Sequence, residues 1–143
     1  FYCDLCIKLK SLKGAPKKLR GSFSADSTGI EKLDSGIIDV GRNFSVIRCD
    51  KLVSLEGAPK LVRDTFDISN CINIKSLKGL ENTEIGNDLC LVRCYGLNDM
   101  EDIIKYTPKV GEMIDMHLGG VGTFEDGQLD RLKKASGAEV INI

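Results

Sequence analysis

The chain has 143 residues, of which 42% are hydrophobic and 29% charged, and its formal net charge is −1. This length and composition are ordinary for a soluble globular domain with a real core. The near balance of 20 basic and 21 acidic residues argues against phosphate-driven binding of nucleic acid. No apolar run approaches the roughly 18 residues that a membrane-spanning helix needs.

The chain begins with FYCDLCIKLK, a strand-like segment without the basic start, long apolar run and cleavage site of a signal peptide. Its six cysteines are an even number, but a chain this rich in aliphatic residues does not need disulfides to fold. We therefore expect reduced thiols and a cytoplasmic location, with association with a virion as the alternative. The first residue is Phe rather than Met, so we also expect a piece of a longer chain.

A repeat organises the chain from its first residue. The lead residues, spaced by 22, 21, 22, 23 and 25, are Phe1, Phe23, Phe44, Phe66, Leu89 and Ile114. A second apolar column lies two residues after each lead, at Cys3, Ala25, Val46, Ile68, Leu91 and Met116. A third lies four residues before the leads, at Leu19, Val40, Val62, Ile85 and Val110.

A pair of apolar residues three positions apart closes each unit. These pairs are Leu9/Leu12, Ile30/Leu33, Leu52/Leu55, Ile74/Leu77, Leu97/Met100 and Val121/Phe124. We expect each unit to form one short strand, a turn and an irregular return, because no unit could bury its columns alone. Stacked units would bury them against each other.

The run Phe44-x-Val46-x-x-Cys49-x-x-Leu52-x-x-Leu55 resembles the leucine-rich repeat. The phrases SLKGAPK (11–17) and SLEGAPK (54–60) are similar to those of a short bacterial and phage-type subclass of that family. The resemblance covers roughly residues 1–125. It implies a repeat solenoid with a parallel β-sheet on the concave face, a mostly irregular convex side, and a role in binding. The later segments add short helices near the C-terminus to this fold class.

The later segments depart from the repeat. Apolar residues at helical spacing in MEDIIKYTPKV (100–110) predict a short helix that Pro108 stops, and EDGQLDRLKKAS (125–136) predicts an amphipathic helix ended by Gly137. EVINI (139–143) predicts a final strand. We therefore divide the chain into six leucine-rich-repeat-like units, 1–124, and a C-terminal capping helix and strand, 125–143.

Cys3 and Cys6 form a C-x-x-C that could be half of a zinc site completed by Cys90 and Cys94. Strands stack about 4.8 Å apart, so the first and fifth units would lie roughly 20 Å apart, too far for Zn–S bonds of about 2.3 Å. We expect no metal or cofactor, and assign one core column to Cys6, Cys49, Cys71 and Cys94. Cys90, on the outward face of its strand, is predicted to be the most accessible thiol.

His117 is the only histidine, and a catalytic site would pair it with Cys90 or Asp115. A strand face is shallow, and general base chemistry depends on geometry before residue type, so we expect no catalysis. The glycine-rich run HLGGVGTF (117–124) lacks the spacing of phosphate-binding loops, and Gly119 suits a tight turn.

The phrase KKLRG (17–21), together with Lys10 and Lys13, predicts a modest cationic patch. Charged runs on return loops are usually solvated, and we interpret this one so. Docking to an acidic partner is the alternative interpretation.

Side chains alternate between the two faces of a strand, and this alternation predicts a row of outward-facing residues. The row is mostly polar, with more acidic than basic residues, and has an apolar spot at Ile47, Val92 and Met113. A polar surface with a few apolar anchors is typical of a non-obligate interface. The predicted partner-binding residues are Asp26, Asn43, Ser45, Ile47, Thr65, Asp67, Ser69, Asp88, Cys90, Val92, Asp115 and His117.

The leading functional hypothesis is a non-catalytic protein–protein interaction scaffold within a longer phage or bacterial protein. Its partner would be another protein, with no nucleic acid and no membrane involved. Stacking on further repeats, or self-association through the N-terminal strand, stays open. The alternatives are a structural component of a virion or other large assembly, and the targeting domain of an enzyme whose catalytic part lies upstream.

Overall fold

The computed structural model describes residues 1–117 and 124–143. Its strands are β1 (Lys18–Leu19), β2 (Phe23–Ser24), β3 (Asp39–Val40), β4 (Phe44–Ser45), β5 (Leu61–Val62), β6 (Phe66–Asp67), β7 (Glu84–Ile85), β8 (Leu89–Cys90), β9 (Lys109–Val110), β10 (Met113–Asp115) and β11 (Val140–Asn142). The helices are α1 (Met100–Tyr106) and α2 (Gln128–Ser136). Gly119 and Val121, to which the sequence assigns a turn and a core position, lie outside the described residues.

The strands form two parallel sheets. The first sheet has six strands in the order β11-β10-β8-β6-β4-β2, and the second has five in the order β1-β3-β5-β7-β9. The predicted lead residues pair in register in the first sheet, so that Phe44 faces Phe23 on one side and Phe66 on the other. The segment before β2 joins the same sheet through a bridge between Tyr2 and Ser24. The repeat-like parallel β-sheet is thus confirmed.

The second sheet corrects the expectation of an irregular return in each unit. The apolar column four residues before each lead forms a ladder of its own, in which Val40 pairs with Leu19 and Val62. Each of these strands is only two residues long. The strands β2, β4, β6 and β8 of the first sheet are equally short, but their segments carry two apolar columns two residues apart, whereas a single apolar column marks the second sheet. This ladder therefore depends on the stacking of units and not on local pattern.

The apolar columns of both sheets belong to one core. The rings of Phe23, Phe44 and Phe66 are fully buried and stack with centroids 4.9 Å apart at each step. Phe1 continues the stack at 5.5 Å from Phe23 but is 49% exposed. The stack follows from the parallel register of β2, β4 and β6, which places the three lead residues side by side.

A left-handed turn follows each strand segment in the first five units. The residue four after the lead has a positive φ of 55–62° in every case: Leu5, Ser27, Arg48, Asn70 and Arg93. Left-handed backbone is costly for residues other than Gly and Asn, so tertiary contacts hold it. Each of these residues donates its backbone N–H to a carbonyl of the next unit, as Arg48 does to Ser69 at 3.0 Å.

The predicted cysteine column lies directly after these turns, and its thiols donate hydrogen bonds to the preceding unit. The Sγ of Cys49, Cys71 and Cys94 donates to the carbonyls of Ala25, Val46 and Ile68 at 3.1–3.3 Å. All three thiols are buried, but Cys6 is exposed, so its assignment to the core column was wrong. Among the described residues, no unit precedes the one that begins at Phe1.

The duplicated phrase SLxG forms a turn between the core column and the second sheet. The hydroxyls of Ser11, Ser54 and Ser76 each accept the backbone N–H of the residue two positions later, at 3.0–3.2 Å. Gly14 and Gly57 then adopt positive φ values of 92° and 86°. The repetition of this phrase is therefore explained by turn geometry.

The two predicted helices and the final strand are present near the C-terminus. Asp99 caps α1 by accepting the N–H groups of Glu101 and Asp102, and Gly137 ends α2 with a φ of 80°. The helices are joined by two hydrogen bonds between Arg131 and Glu101. Among the described residues, no helix has both the length and the apolar character needed to cross a membrane.

Candidate protein-binding surface

The outward side chains of the first sheet form rows that cross its strands, and together they are called the outer face here. The central row is in register and consists of Ser24, Ser45, Asp67, Cys90, Asp115 and Asn142. The row two residues further along each strand consists of Asp4, Asp26, Ile47, Ser69, Val92 and His117. The row two residues before the central one includes Asn43, Thr65, Asp88 and Met113.

Two carboxylates on this face connect successive units. Asp26 Oδ1 accepts the Ser45 hydroxyl at 2.6 Å and the Ile47 backbone N–H at 2.8 Å. In the preceding unit, Asp4 Oδ1 makes the equivalent contacts, accepting the Ser24 hydroxyl and the Asp26 N–H. A carboxylate that accepts bonds from the next strand is fixed in position and satisfies an N–H group where the strand ends. Asp26 is thus a structural as well as a surface residue.

These carboxylate bonds between successive units end at Ile47. The next carboxylate, Asp67, lies in the central row instead. Asp67 Oδ1 accepts the backbone N–H of Ser69 on its own strand at 2.8 Å. Burial raises the pKa of Asp67 above its ordinary value, hydrogen bonds from Ser69 oppose the rise, and the charges of Asp26 and Asp115 add to it. The neighbouring carboxylates therefore add to the cost of ionising Asp67.

Cys90 lies between Asp67 and Asp115 in the central row. Burial raises its pKa to about 12, and the neighbouring Asp67, Asp115 and Asp88 carboxylates contribute. At neutral pH the thiol is protonated, which makes it a poor nucleophile. The prediction that Cys90 is the most accessible thiol was wrong, because Cys90 is only partly exposed whereas Cys6 is exposed.

His117, Asp115 and Asn142 meet at the β10–β11 end of the outer face. His117 Nδ1 lies 3.4 Å from Asp115 Oδ1, and Asn142 Nδ2 donates to the same oxygen at 3.2 Å. The sequence brought His117 and Asp115 together correctly but missed Asn142. The alternation of EVINI could have identified Asn142, because a strand added beside β10 places it next to Asp115.

The other predicted binding residues differ in how much surface they offer. Asn43 is exposed and its side-chain oxygen accepts the N–H of Thr65 at 3.3 Å, while Thr65, Asp88 and Val92 are partly exposed. Ser69, predicted to point outward, is only 7% exposed. Ser69 therefore offers little surface to a partner.

No family model matches the sequence, and no match was found among curated proteins or among solved structures.

Proposed function

We propose that this chain is a non-catalytic protein-interaction module built as a leucine-rich-repeat-like solenoid, and that its partner docks on the outer face, the concave side of such a solenoid. The observation that carries this proposal is the ordered row of hydrogen-bonded polar groups across the face. Because Asp26, Ser45 and Asp67 are already held by hydrogen bonds, they would lose little conformational entropy on binding.

The acidic side chains of the outer face, with aliphatic side chains among them, favour a basic partner surface. Asp26, Asp67, Asp88 and Asp115 are spread over four strand positions, with aliphatic Ile47 and Val92 beside them. Charge complementarity of this kind steers association and excludes wrong partners, while a few apolar anchors supply burial. The protonated Cys90 thiol favours binding over catalysis. We also propose a cytoplasmic location, which the six free cysteines support.

The test compares two lysine substitutions that lie four residues apart on opposite sheets. Asp88 lies on the outer face, whereas Glu84 lies in β7 of the second sheet and is exposed. Asp88→Lys and Glu84→Lys make the same change of charge, so a difference between them reports the face and not the net charge. The intact chain and both variants are used as bait for affinity capture in cells that produce the protein, and circular dichroism checks their folding.

A partner that is retained by the intact chain and by Glu84→Lys but lost by Asp88→Lys is the expected result. Capture that weakens as salt rises would agree with a charge-driven contact. Equal retention by both variants would remove the outer face from the proposal, and loss with both would assign the effect to net charge. A partner found in fixed stoichiometry with particles would favour the alternative of an assembly component.

A further inference from the structure

The first sheet has a free edge at each end of the stack of units. At one end, residues 1–3 pair with β2 on one side only, through the bridge between Tyr2 and Ser24. At the other end, β11 pairs with β10 on one side only. Among the described residues, no strand lies beyond either edge. A free strand edge offers backbone N–H and C=O groups that can pair with another chain.

Exposed apolar side chains are concentrated at these two ends. Six of the ten large hydrophobic side chains that are exposed among the described residues belong to the first unit or to residues 140–143, namely Phe1, Tyr2, Leu5, Ile7, Val140 and Ile143. At the first end, Phe1, Leu9 and Leu12 also line an open cavity of about 190 Å³. All the residues that line this cavity belong to the first unit, so a further unit stacked on that end would close it.

One backbone hydrogen bond recurs at every junction between successive strand segments of the first sheet. The residue two positions after each lead donates its N–H to the central-row residue of the next unit, at 2.7–3.1 Å. The first of these six bonds runs from Cys3 to Ser24, and the last runs from Met116 to Asn142. The bonding therefore has one direction along the whole sheet, which makes its two ends chemically different.

The two ends hold the donor and the acceptor of a seventh bond of this kind. Ile141 pairs in register with Ile114, so β11 continues the lead column, and Ile143 holds the donor position two residues later. Tyr2 pairs with Ser24 and so holds the central-row position in the first unit. Within the described residues, neither the Ile143 N–H nor the Tyr2 carbonyl makes a backbone hydrogen bond. In parallel pairing alternate residues bond to opposite sides, so both groups point away from the neighbouring strand.

We propose that copies of this chain associate end to end, with β11 of one copy beside residues 1–3 of the next, so that the first sheet continues in parallel from copy to copy. The Ile143 N–H donates to the Tyr2 carbonyl of the next copy, and Ile141 lies beside Phe1 of that copy in the lead column. A second copy fits this edge because it supplies the bonding direction and the columns of the six junctions inside the chain. The two contacting edges differ, so the association is open and forms chains of copies rather than a closed dimer.

The junction between copies is confined to the first sheet. At the last end, α2 packs against β9, the edge strand of the second sheet, and Lys109 Nζ donates to the Ala135 carbonyl at 2.7 Å. The helix takes the place of a further strand, so the second sheet does not continue across the junction. A contact of this limited size gives a weak association that depends on concentration. It leaves the outer face open and does not depend on the function proposed above.

Sedimentation velocity of the chain between about 1 and 500 µM tests the proposal. The sedimentation coefficient should rise continuously with concentration, without a plateau at the dimer. Tyr2→Pro and Ile143→Pro each remove an N–H that points away from the neighbouring strand, so each blocks one edge and spares the internal pairing. Either variant alone should sediment as a monomer. An equimolar mixture of the two should form a dimer and nothing larger, because each variant supplies the edge that the other lacks.

Tyr95→Ser is the control, since it removes an exposed aromatic side chain that lies away from both ends and should leave association unchanged. Circular dichroism checks folding. If a proline variant does not fold, Tyr2→Lys and Ile143→Lys repeat the design by placing a charge within the junction. The proposal is overturned if the chain sediments as a monomer throughout or stops at a dimer, if either variant alone associates as well as the intact chain, if the mixture stays monomeric, or if Tyr95→Ser abolishes association as well.

Discussion

The thiol of Cys71 donates a hydrogen bond to the carbonyl of Val46, one unit earlier in the chain, at 3.1 Å. Both residues are fully buried, and Val46 lies just before the left-handed turn at Arg48. The neighbouring Cys49 thiol and burial raise the pKa of Cys71, so the proton stays on sulfur. This bond satisfies a carbonyl that the turn removes from the strand ladder.

The Cys71–Val46 bond leads to a prediction about stability. Cys71→Ala should lower the free energy of unfolding by about 2 kcal/mol, because it leaves a small cavity and a buried carbonyl without a donor. Cys71→Ser should cost about half as much, since its hydroxyl can still donate. Urea denaturation of the two variants measures the difference. Equal losses would show that packing, and not the hydrogen bond, is what Cys71 contributes.

The duplicated phrase SLxG supplies a matched pair of glycines. Both Gly14 and Gly57 have positive φ, but only Gly57 has a backbone neighbour that an added Cβ would strike, the carbonyl of Leu33. Gly14→Ala should lose about 1 kcal/mol from left-handed strain alone. Gly57→Ala should lose at least about 2 kcal/mol, because strain and overpacking add. Thermal unfolding followed by circular dichroism compares them, and similar melting temperatures would contradict the close approach of units at Gly57.

Asp67 should make stability depend on pH in the direction opposite to most carboxylates. Burial raises its pKa in the folded state, so its contribution to stability is present below the unfolded pKa and is lost as pH rises through the folded pKa. Asp67→Asn should therefore be more stable than the intact chain at neutral pH. The difference should vanish near pH 3, where the carboxyl is protonated in both states. Urea midpoints across this pH range test it; a variant less stable at neutral pH would contradict it.

Asp34 should show the reverse behaviour. Burial alone would raise its pKa, but hydrogen bonds from the Leu12 N–H and the Ser11 hydroxyl outweigh it and hold the pKa below the usual value. Its stabilising contribution is present above the unfolded pKa and is lost as pH falls through the folded pKa. Asp34→Asn should thus be less stable than the intact chain at neutral pH, with the gap closing in acid. A constant gap at all pH values would mean that shape and not charge matters at this turn.

Thiol reactivity should separate the cysteines by their place in the fold. Cys6 is exposed, whereas Cys49, Cys71 and Cys94 are buried. A maleimide reagent on the native chain should label Cys6 first and reach these three only after unfolding, as read by mass spectrometry of peptides. Burial raises the pKa of Cys94 and Cys90 to about 12, which slows them further. Early labelling of Cys71 would show that the core opens between units.

The sequence by itself determined the lead columns, the cysteine column after Cys6, both helices and the final strand. These features recur at a fixed interval or carry local stop signals such as Gly137, and either pattern can be read without knowing the neighbours. The resemblance to leucine-rich repeats added an expectation for the outward side chains, and the parity of Ser45 and Asp67 about the lead residues placed them correctly on that side.

Only the tertiary structure decided what lies between units. A single apolar column marks the second sheet in the sequence, without the alternation that marks the first, and Ser69 is only 7% exposed although the parity of its strand predicts an outward side chain. Asp26 became a connecting residue through bonds to the next strand. The sequence prescribes the stacking of units, but the contacts of a side chain depend on what each adjacent unit places beside it, and that is a property of the assembled sheets.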